Sequence, residues 1–236
     1  MKKFWKNVAV KEIYPNQFQV HLDNKVLKTP MKKDLIFLNL IMAKEIAQEW
    51  DIEEKVINTN NMIYYGLLST AIDKIEFSRN IYIKDMLNFV NTDLICYRAE
   101  GPDELINIQN NLWNPILSYI KKYLNLEINF CSGIMPITQP LEIFPKLKFL
   151  MNTFSNQEIS ALHRLTNISG SIFISLCILK GDVLKKEAFE LSFLDEIWQA
   201  KNWGIEEDAA EKRDKISQEL NKIISSGYSL TKEAAL

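Results

Sequence analysis

Two adjacent carboxylates, Asp195 and Glu196, lie in the segment LDEIWQAKNWG, residues 194–204, among large apolar side chains and two tryptophans. Two carboxylates can serve as a general acid and a general base when both face one substrate atom. In a helix, however, consecutive residues turn by about 100° and do not face each other. The spacing therefore argues against an acid–base pair.

The same segment predicts a helix with two unlike faces. The face toward the core carries five apolar residues: Leu191, Phe193, Leu194, Ile197 and Trp198. On the other face Glu196 lies with Gln199 and Trp203, and Asp195 lies at the border. Such a face predicts either a partner-binding surface or a cradle for the following helix. Asp195, Glu196, Gln199 and Trp203 are thus candidate partner-binding residues, and Trp198 is a structural one.

Two simpler interpretations of these acidic residues stay open. Ser192 and Asp195 have the spacing of a capping box, so Asp195 could merely begin a helix after a break. The acidic run 206–208 also lies at a predicted helix N-terminus, where the helix dipole favours negative charge.

A second polar pair, Asp93 and Arg98, interrupts the apolar segment NTDLICYRA. It predicts a buried or half-buried ion pair that pins one helix to another, which is a structural role. As an alternative function, Asp93 and Arg98 together with a carboxylate from Asp195 or Glu196 could form the catalytic site of a small-molecule hydrolase or transferase. Asp73, on one helix with Tyr65 and Ser69, could form a polar site with them, but a solvated face is expected.

The usual catalytic and cofactor motifs are missing from the sequence: there is no GxGxxG, GxxxxGK[ST], HExxH, CxxC pair or GxSxG. His21 and His163 belong to no motif, and the three cysteines have no metal-ligand spacing. We expect neither a catalytic site nor a cofactor nor a metal, and no small-molecule substrate.

The charge balance is even, with 28 Lys and Arg residues against 30 Asp and Glu residues and a net charge of −2. This leaves no basic surface for nucleic acid. The N-terminus lacks a signal-peptide pattern, and the longest apolar stretch, residues 171–179, is far shorter than the roughly 20 residues that span a bilayer. We expect a cytoplasmic protein without membrane insertion.

The pattern changes along the chain from strands to helices. Residues 18–22 and 26–28 predict a hairpin turning at Asp23 and Asn24, with Asn24 as the residue that tolerates positive φ, and residues 35–38 are a further possible strand. Asn39 is expected to cap a helix through Trp50. The predicted fold is α+β, with a small β-rich domain with one helix at residues 1–58 and a larger all-helical domain at 59–236.

Within the larger part the helices have recognisable ends. Helices are predicted over residues 61–75, 80–90, 103–124, 155–180, from residue 182 to 204, and 206–226. Pro115 should kink the third of them or begin a new one. Ser155 and Glu158 form a capping box, and Gly181 should end that long helix. Gly170 within it is either a close helix-crossing point or a tolerated glycine.

Seven motifs occur in the order and at the spacing of a known family: LDNKVLKTP (22–30), AKEIAQEWD (43–51), STAIDKI (69–75), NTDLICYRAE (91–100), QNNLWNPIL (109–117), LTNISGSIFISL (165–176) and LDEIWQAKNWG (194–204). On these motifs the chain resembles the Atp-twelve family. That resemblance implies an assembly chaperone of F-type ATP synthase, bacterial or mitochondrial, which binds the unassembled α subunit of the catalytic head. It implies no catalysis and no cofactor, and we expect a monomer.

The resemblance also implies a functionally sensitive acidic position within LDEIW, for which Asp195 is preferred and Glu196 is next. The chain departs from the family at two places. Asn24 replaces a hairpin glycine, and Asn114 replaces a common aspartate, which puts any charge-dependent role at that position in doubt.

Overall fold

The computed structural model describes residues 3–52, 57–181, 185–204 and 206–225, except for the side chains of residues 60, 185 and 186. The chain divides into two compact units, Met1–Arg79 and Asn80–Leu236. It is an α+β protein, with its three-stranded sheet near the N-terminus. The domain limits 1–58 and 59–236 stay a prediction, which expression of the two fragments would test.

The smaller unit is built on an antiparallel sheet of β1 (Val8–Tyr14), β2 (Gln17–Leu22) and β3 (Lys25–Val26). After the sheet come α1 (Leu40–Ile52), a 3₁₀ turn (Thr59–Asn61), α2 (Ile63–Thr70) and a π-helical turn (Ala71–Ile75). The predicted hairpin and first helix are therefore confirmed. The core contains large side chains from the sheet and both helices, among them Val20, Leu22, Ile46, Trp50 and Tyr65.

Two local predictions in this unit are wrong. Asp23, and not Asn24, has the positive φ of the hairpin, at 52°. The carboxylate of Asp23 accepts the amide hydrogens of Lys6 and Asn7, and these bonds favour the left-handed turn at that residue. Residues 35–38 form no strand, because only Phe37 of this segment pairs, through one isolated bridge with Phe18.

Two buried carboxylates hold this unit together. Asp73 is only 6% exposed and accepts hydrogen bonds from the Thr29 hydroxyl at 2.7 Å and the Met31 amide at 2.9 Å. The predicted solvated face is wrong here, because helical spacing cannot show that a loop distant in sequence covers it. Glu49 of α1 accepts the amides of Tyr64 and Tyr65, each at 2.9 Å, and so caps α2.

The larger unit begins within α3 (Glu76–Leu87). It continues through α4 (Asp103–Leu124), α5 (Ile143–Asn152), α6 (Asn156–Ser169), α7 (Ile172–Lys180), α8 (Lys185–Ser192), α9 (Leu194–Trp203) and α10 (Glu207–Ser225). It is not wholly helical as predicted, since β4 (Tyr97–Arg98) pairs in parallel with β5 (Cys131–Ser132). The predicted limits of α4 are confirmed, and that helix continues through Pro115.

The long helix predicted over 155–180 is two helices. Its capping box is confirmed, with Ser155 accepting from the amide of Glu158 and Glu158 accepting from that of Ser155. Gly170, however, has φ 68° and ends α6 in the left-handed region, and Ser171 then caps α7. Gly170 is thus neither a helix-crossing point nor a merely tolerated glycine. Gly181 ends α7 as predicted, and the start of the helix predicted from residue 182 lies outside the described residues.

Replacing Gly170 with alanine should destabilise the protein by about 1 kcal/mol, because a Cβ disfavours positive φ. Gly66 offers a matched control: it lies inside α2, and beyond its chain neighbours and the nearby backbone of its own helix a Cβ there would meet no atom within 4 Å. Gly66→Ala should stabilise by about 0.5–1 kcal/mol. Thermal unfolding followed by circular dichroism checks both, and a Gly170→Ala protein that melts at or above the wild-type temperature contradicts the cap.

Candidate partner-binding surface

Helix α9 has the two faces that its sequence predicts. Leu194 and Trp198 are buried, whereas Glu196 and Gln199 are exposed and Trp203 is 74% exposed. The Trp203 ring stands edge-on to the Trp198 ring, with centroids 5.4 Å apart and planes at 89°. An inward tryptophan therefore supports an outward one at the end of the helix.

The start of α9 differs from the predicted capping box. The break is present at Phe193, but the Ser192 hydroxyl donates to the carbonyl of Ala188 instead of receiving a helix amide. The cradle interpretation is also wrong, because the described part of α10 leaves Trp203 uncovered. Helix α10 itself buries Leu220 and Ile223, whereas Ala209 near its start is exposed.

Asp195 lies at the border of the two faces and is held by α4. Its Oδ1 accepts a hydrogen bond from Gln109 Nε2 at 2.8 Å. Gln109 is only 1% exposed, and its Oε1 accepts the amide of Ala99 at 2.8 Å. One buried amide group thus links the start of α9 to the end of β4, and it helps to orient the outer face of α9.

Arg98 lies behind this link. Its Nη1 donates to the carbonyl of Gln109 at 3.0 Å, and its Nη2 donates to Asn114 Oδ1 at 3.2 Å. The guanidinium also lies over the rings of Trp113, at 4.9 Å, and Phe130, at 5.5 Å. Burial lowers the pKa of Arg98 to about 10, and the nearby Asp195 acts in the opposite direction. Asn114 stands where an aspartate is common in the family that the motifs resemble. Its amide oxygen accepts the hydrogen bond from Arg98.

Asp93 makes contacts elsewhere, and the predicted ion pair with Arg98 is wrong. Asp93 is fully buried; its Oδ1 accepts the Ser171 hydroxyl at 2.6 Å, and its Oδ2 accepts the Phe173 amide at 3.3 Å. It also accepts the amide of Ile95, so that it begins a 3₁₀ turn and at the same time binds the N-terminus of α7. Burial raises the pKa of Asp93 to about 7, against these hydrogen bonds. Its role is the predicted pinning of a helix, achieved without the arginine.

These positions give no support to the alternative of a hydrolase or transferase. Asp93 is directed to α7, Arg98 to α4, and Glu196 to solvent. A catalytic site needs such groups to converge on one reacting atom. Among the described residues, no three His, Cys, Asp or Glu side chains are grouped as metal ligands.

Sequence reasoning missed the two side chains that position α9 from α4. These are Gln109, described above, and Trp113, which is fully buried and donates from Nε1 to the carbonyl of Leu191 at 2.9 Å. Both belong to the motif QNNLWNPIL, so the signal was present as a motif. Periodicity places them on the inner face of α4 but cannot say which helix they meet.

Comparison with known proteins gives one family match and several structural neighbours. A family model described as ATP12 chaperone protein matches residues 2–121. The structure of Atp12 from Paracoccus denitrificans aligns with a TM-score of 0.83, 26% identity, and coverage of 97% of this chain and 98% of that chain. An aspartate-to-lysine mutant of the same protein aligns with a TM-score of 0.82 at 26% identity, covering 97% of each chain.

A third neighbour comes from another bacterium. Atu1473 of Agrobacterium tumefaciens, described as a candidate chaperone, is 31% identical, with a TM-score of 0.83 and coverage of 95% of this chain and 85% of that one. None of the described helices combines the length and hydropathy needed to cross a membrane.

Proposed function

Because the chain belongs to the ATP12 chaperone protein family, we propose that it is an assembly chaperone of F-type ATP synthase that binds the unassembled α subunit of the catalytic head. In this proposal it keeps the α subunit from aggregating until a β subunit takes its place, acts as a monomer without catalysis, and works in the bacterial cytoplasm or, for eukaryotic relatives, in the mitochondrial matrix. The family resemblance drawn from the seven motifs is confirmed by the family match and the structural neighbours.

The exposed outer face of α9 is the observation from which we propose particular partner-binding residues. A tryptophan that is 74% exposed lies there beside the exposed Glu196 and Gln199, and an inward tryptophan supports it. Tryptophan is enriched among the residues that dominate binding energy at protein interfaces. A tryptophan that is already ordered before binding loses little conformational entropy when a partner covers it.

The chemistry of this face suits a partner that must later leave. An α subunit without its β neighbour exposes the surface that the β subunit will cover. A large exposed apolar surface promotes aggregation. A wholly apolar groove would cover it but would compete with the β subunit. A face of one aromatic side chain with carboxylates and an amide excludes water at one point only, so that the larger subunit interface can displace it.

Refolding of purified α subunit in the presence of the full chain tests the proposal. We expect the chain to suppress light scattering by the α subunit at near-equimolar concentration and to elute with it as a complex. Addition of β subunit should then release the chain. Serum albumin at the same concentration is the control for nonspecific protection. If the α subunit aggregates equally with the chain and with albumin, the proposed function is wrong.

A further inference from the structure

We propose that the loop of residues 129–139 is a second contact for the client, binding an apolar segment that is flanked by lysine or arginine. The inference rests on the proposed function, since it assigns that segment to the unassembled α subunit. It concerns a part of the surface that the motif resemblance does not mark.

The tip of this loop exposes apolar side chains to an unusual degree. Ile134 is 93% exposed, Met135 is 73% exposed, and Phe130 at its base is 50% exposed. The whole stretch INFCSGIMPITQPL, residues 128–141, contains no charged side chain. Single exposed apolar residues are ordinary, but neighbouring ones on a soluble domain mark an interaction site.

The loop is held in place at its base. Gln139 is 1% exposed and pairs with the backbone of Asn129 in both directions, accepting its amide at 2.9 Å and donating to its carbonyl at 2.8 Å. The amide of Ile137 donates to the Tyr97 hydroxyl at 3.2 Å. The cost of ordering the loop is therefore met in folding, and the exposed tip is available to a partner with little further loss of entropy.

The turn itself requires glycine. Gly133 has φ 83°, and its amide donates to the carbonyl of Arg98 at 2.9 Å. A Cβ at this position would lie 2.9 Å from Glu100 Oε1. The absence of a side chain thus brings an exposed carboxylate against the turn, one residue from Ile134.

The charges beside the tip identify the partner's chemistry. The segment 99–110 contains three exposed carboxylates, Glu100, Asp103 and Glu104, and no lysine or arginine. The buried Gln109 accepts the Ala99 amide and also donates to Asp195, so the start of this segment and the start of α9 are joined through one side chain. An apolar tip beside carboxylates complements an apolar segment with basic flanks, whereas an anionic membrane would be repelled.

A double substitution, Ile134→Ser with Met135→Ser, tests the inference in the α-subunit refolding assay. Both side chains are exposed, so we expect wild-type stability, while the concentration for half-suppression of scattering should rise about tenfold or more. Tyr14→Ser with Phe149→Ser is the matched control, because these residues are 68% and 75% exposed and lie on separate elements, β1 and α5. The control should stay within about twofold of wild type.

The outcomes separate this inference from the proposed function. If the wild-type chain and the tip variant protect the α subunit equally well, the tip contact is wrong but the proposed function stands. Wild type that gives no protection overturns both. Sedimentation of the chain without client distinguishes a further case: if wild type forms a dimer and the tip variant is a monomer, the tip binds a second copy of the chain and the inference is wrong. Vesicles of phosphatidylserine that bind wild type but not the tip variant would also overturn it.

Discussion

Asp195→Lys is expected to weaken capture of the α subunit about 100-fold, the size of effect seen at interface hot spots. The reason is the position of this residue and not its charge alone. A lysine cannot accept the hydrogen bond from Gln109, and it places a second cation near Arg98, the residue whose pKa Asp195 now raises. Helix α9 would then turn its outer face, with Trp203, away from the direction that binding needs.

Three further variants separate orientation from charge. Asp195→Asn keeps an oxygen for Gln109 and should capture the α subunit within about threefold of wild type. Glu196→Lys changes only the exposed face and should cost about tenfold. Glu211→Lys is the matched control, because it makes the same charge change on the exposed side of α10 and should leave capture unchanged. Affinity is measured by titration of labelled α subunit, with circular dichroism to verify folding.

The result decides between two explanations of the sensitive acidic position. If Asp195→Asn fails as badly as Asp195→Lys, the carboxylate contacts the client through its charge. If Asp195→Lys is folded and captures the α subunit normally, the outer face of α9 is not the binding surface.

What the sequence predicts well is local. The two faces of α9, the limits of α4 and the capping box at Ser155 follow from spacing within one helix, and the structure confirms them. The family followed from the order of seven motifs, which needs no knowledge of contacts. The residues that determine each helix face, helix limit or cap lie within a few positions of it, and the family is identified by the motifs themselves.

What the sequence does not predict is which distant groups meet. Asp93 and Arg98 look like partners because they are the two charged residues in a largely apolar segment. A 3₁₀ turn between them instead directs one to Ser171 and the other to Gln109. Asp73 is on a helix face that spacing alone leaves open, and Thr29 covers it from 44 positions earlier in the chain. Buried polar groups form hydrogen bonds with the groups that the tertiary fold places near them. Hydrophobic periodicity does not show which groups these are.

Gly170 shows a different limit. The stretch 155–180 has helical spacing throughout, and a glycine within it is compatible both with a continuous helix and with a helix end. The deciding group is Asp93, whose carboxylate receives the hydroxyl of Ser171 and so makes a new helix start favourable there. The break therefore depends on a residue 77 positions away from the glycine, and local propensity could not supply it.

Trp113→Ala is expected to lower the free energy of unfolding of the larger unit by about 3–5 kcal/mol, the cost of removing a buried tryptophan. The side chain is fully buried, lies against Arg98, and donates to the Leu191 carbonyl just before α9. Trp113→Phe is the matched variant: it keeps most of the ring but leaves that carbonyl without its donor, and should cost about 1–2 kcal/mol. Urea unfolding followed by circular dichroism measures both.

The same variants separate support of the surface from the surface itself. Trp113 is fully buried and cannot itself reach a client, so capture by Trp113→Ala should fall mainly with its folded fraction. Asp195→Lys should instead lose capture while it remains folded, because it changes the direction of α9 at one hydrogen bond. If Trp113→Ala unfolds at the same urea concentration as wild type, the packing of α4 against the end of α8 does not contribute to the stability of the larger unit. If it is folded and yet fails to capture the α subunit, the indole of Trp113 sets the position of α9 more strongly than the hydrogen bond from Gln109 does.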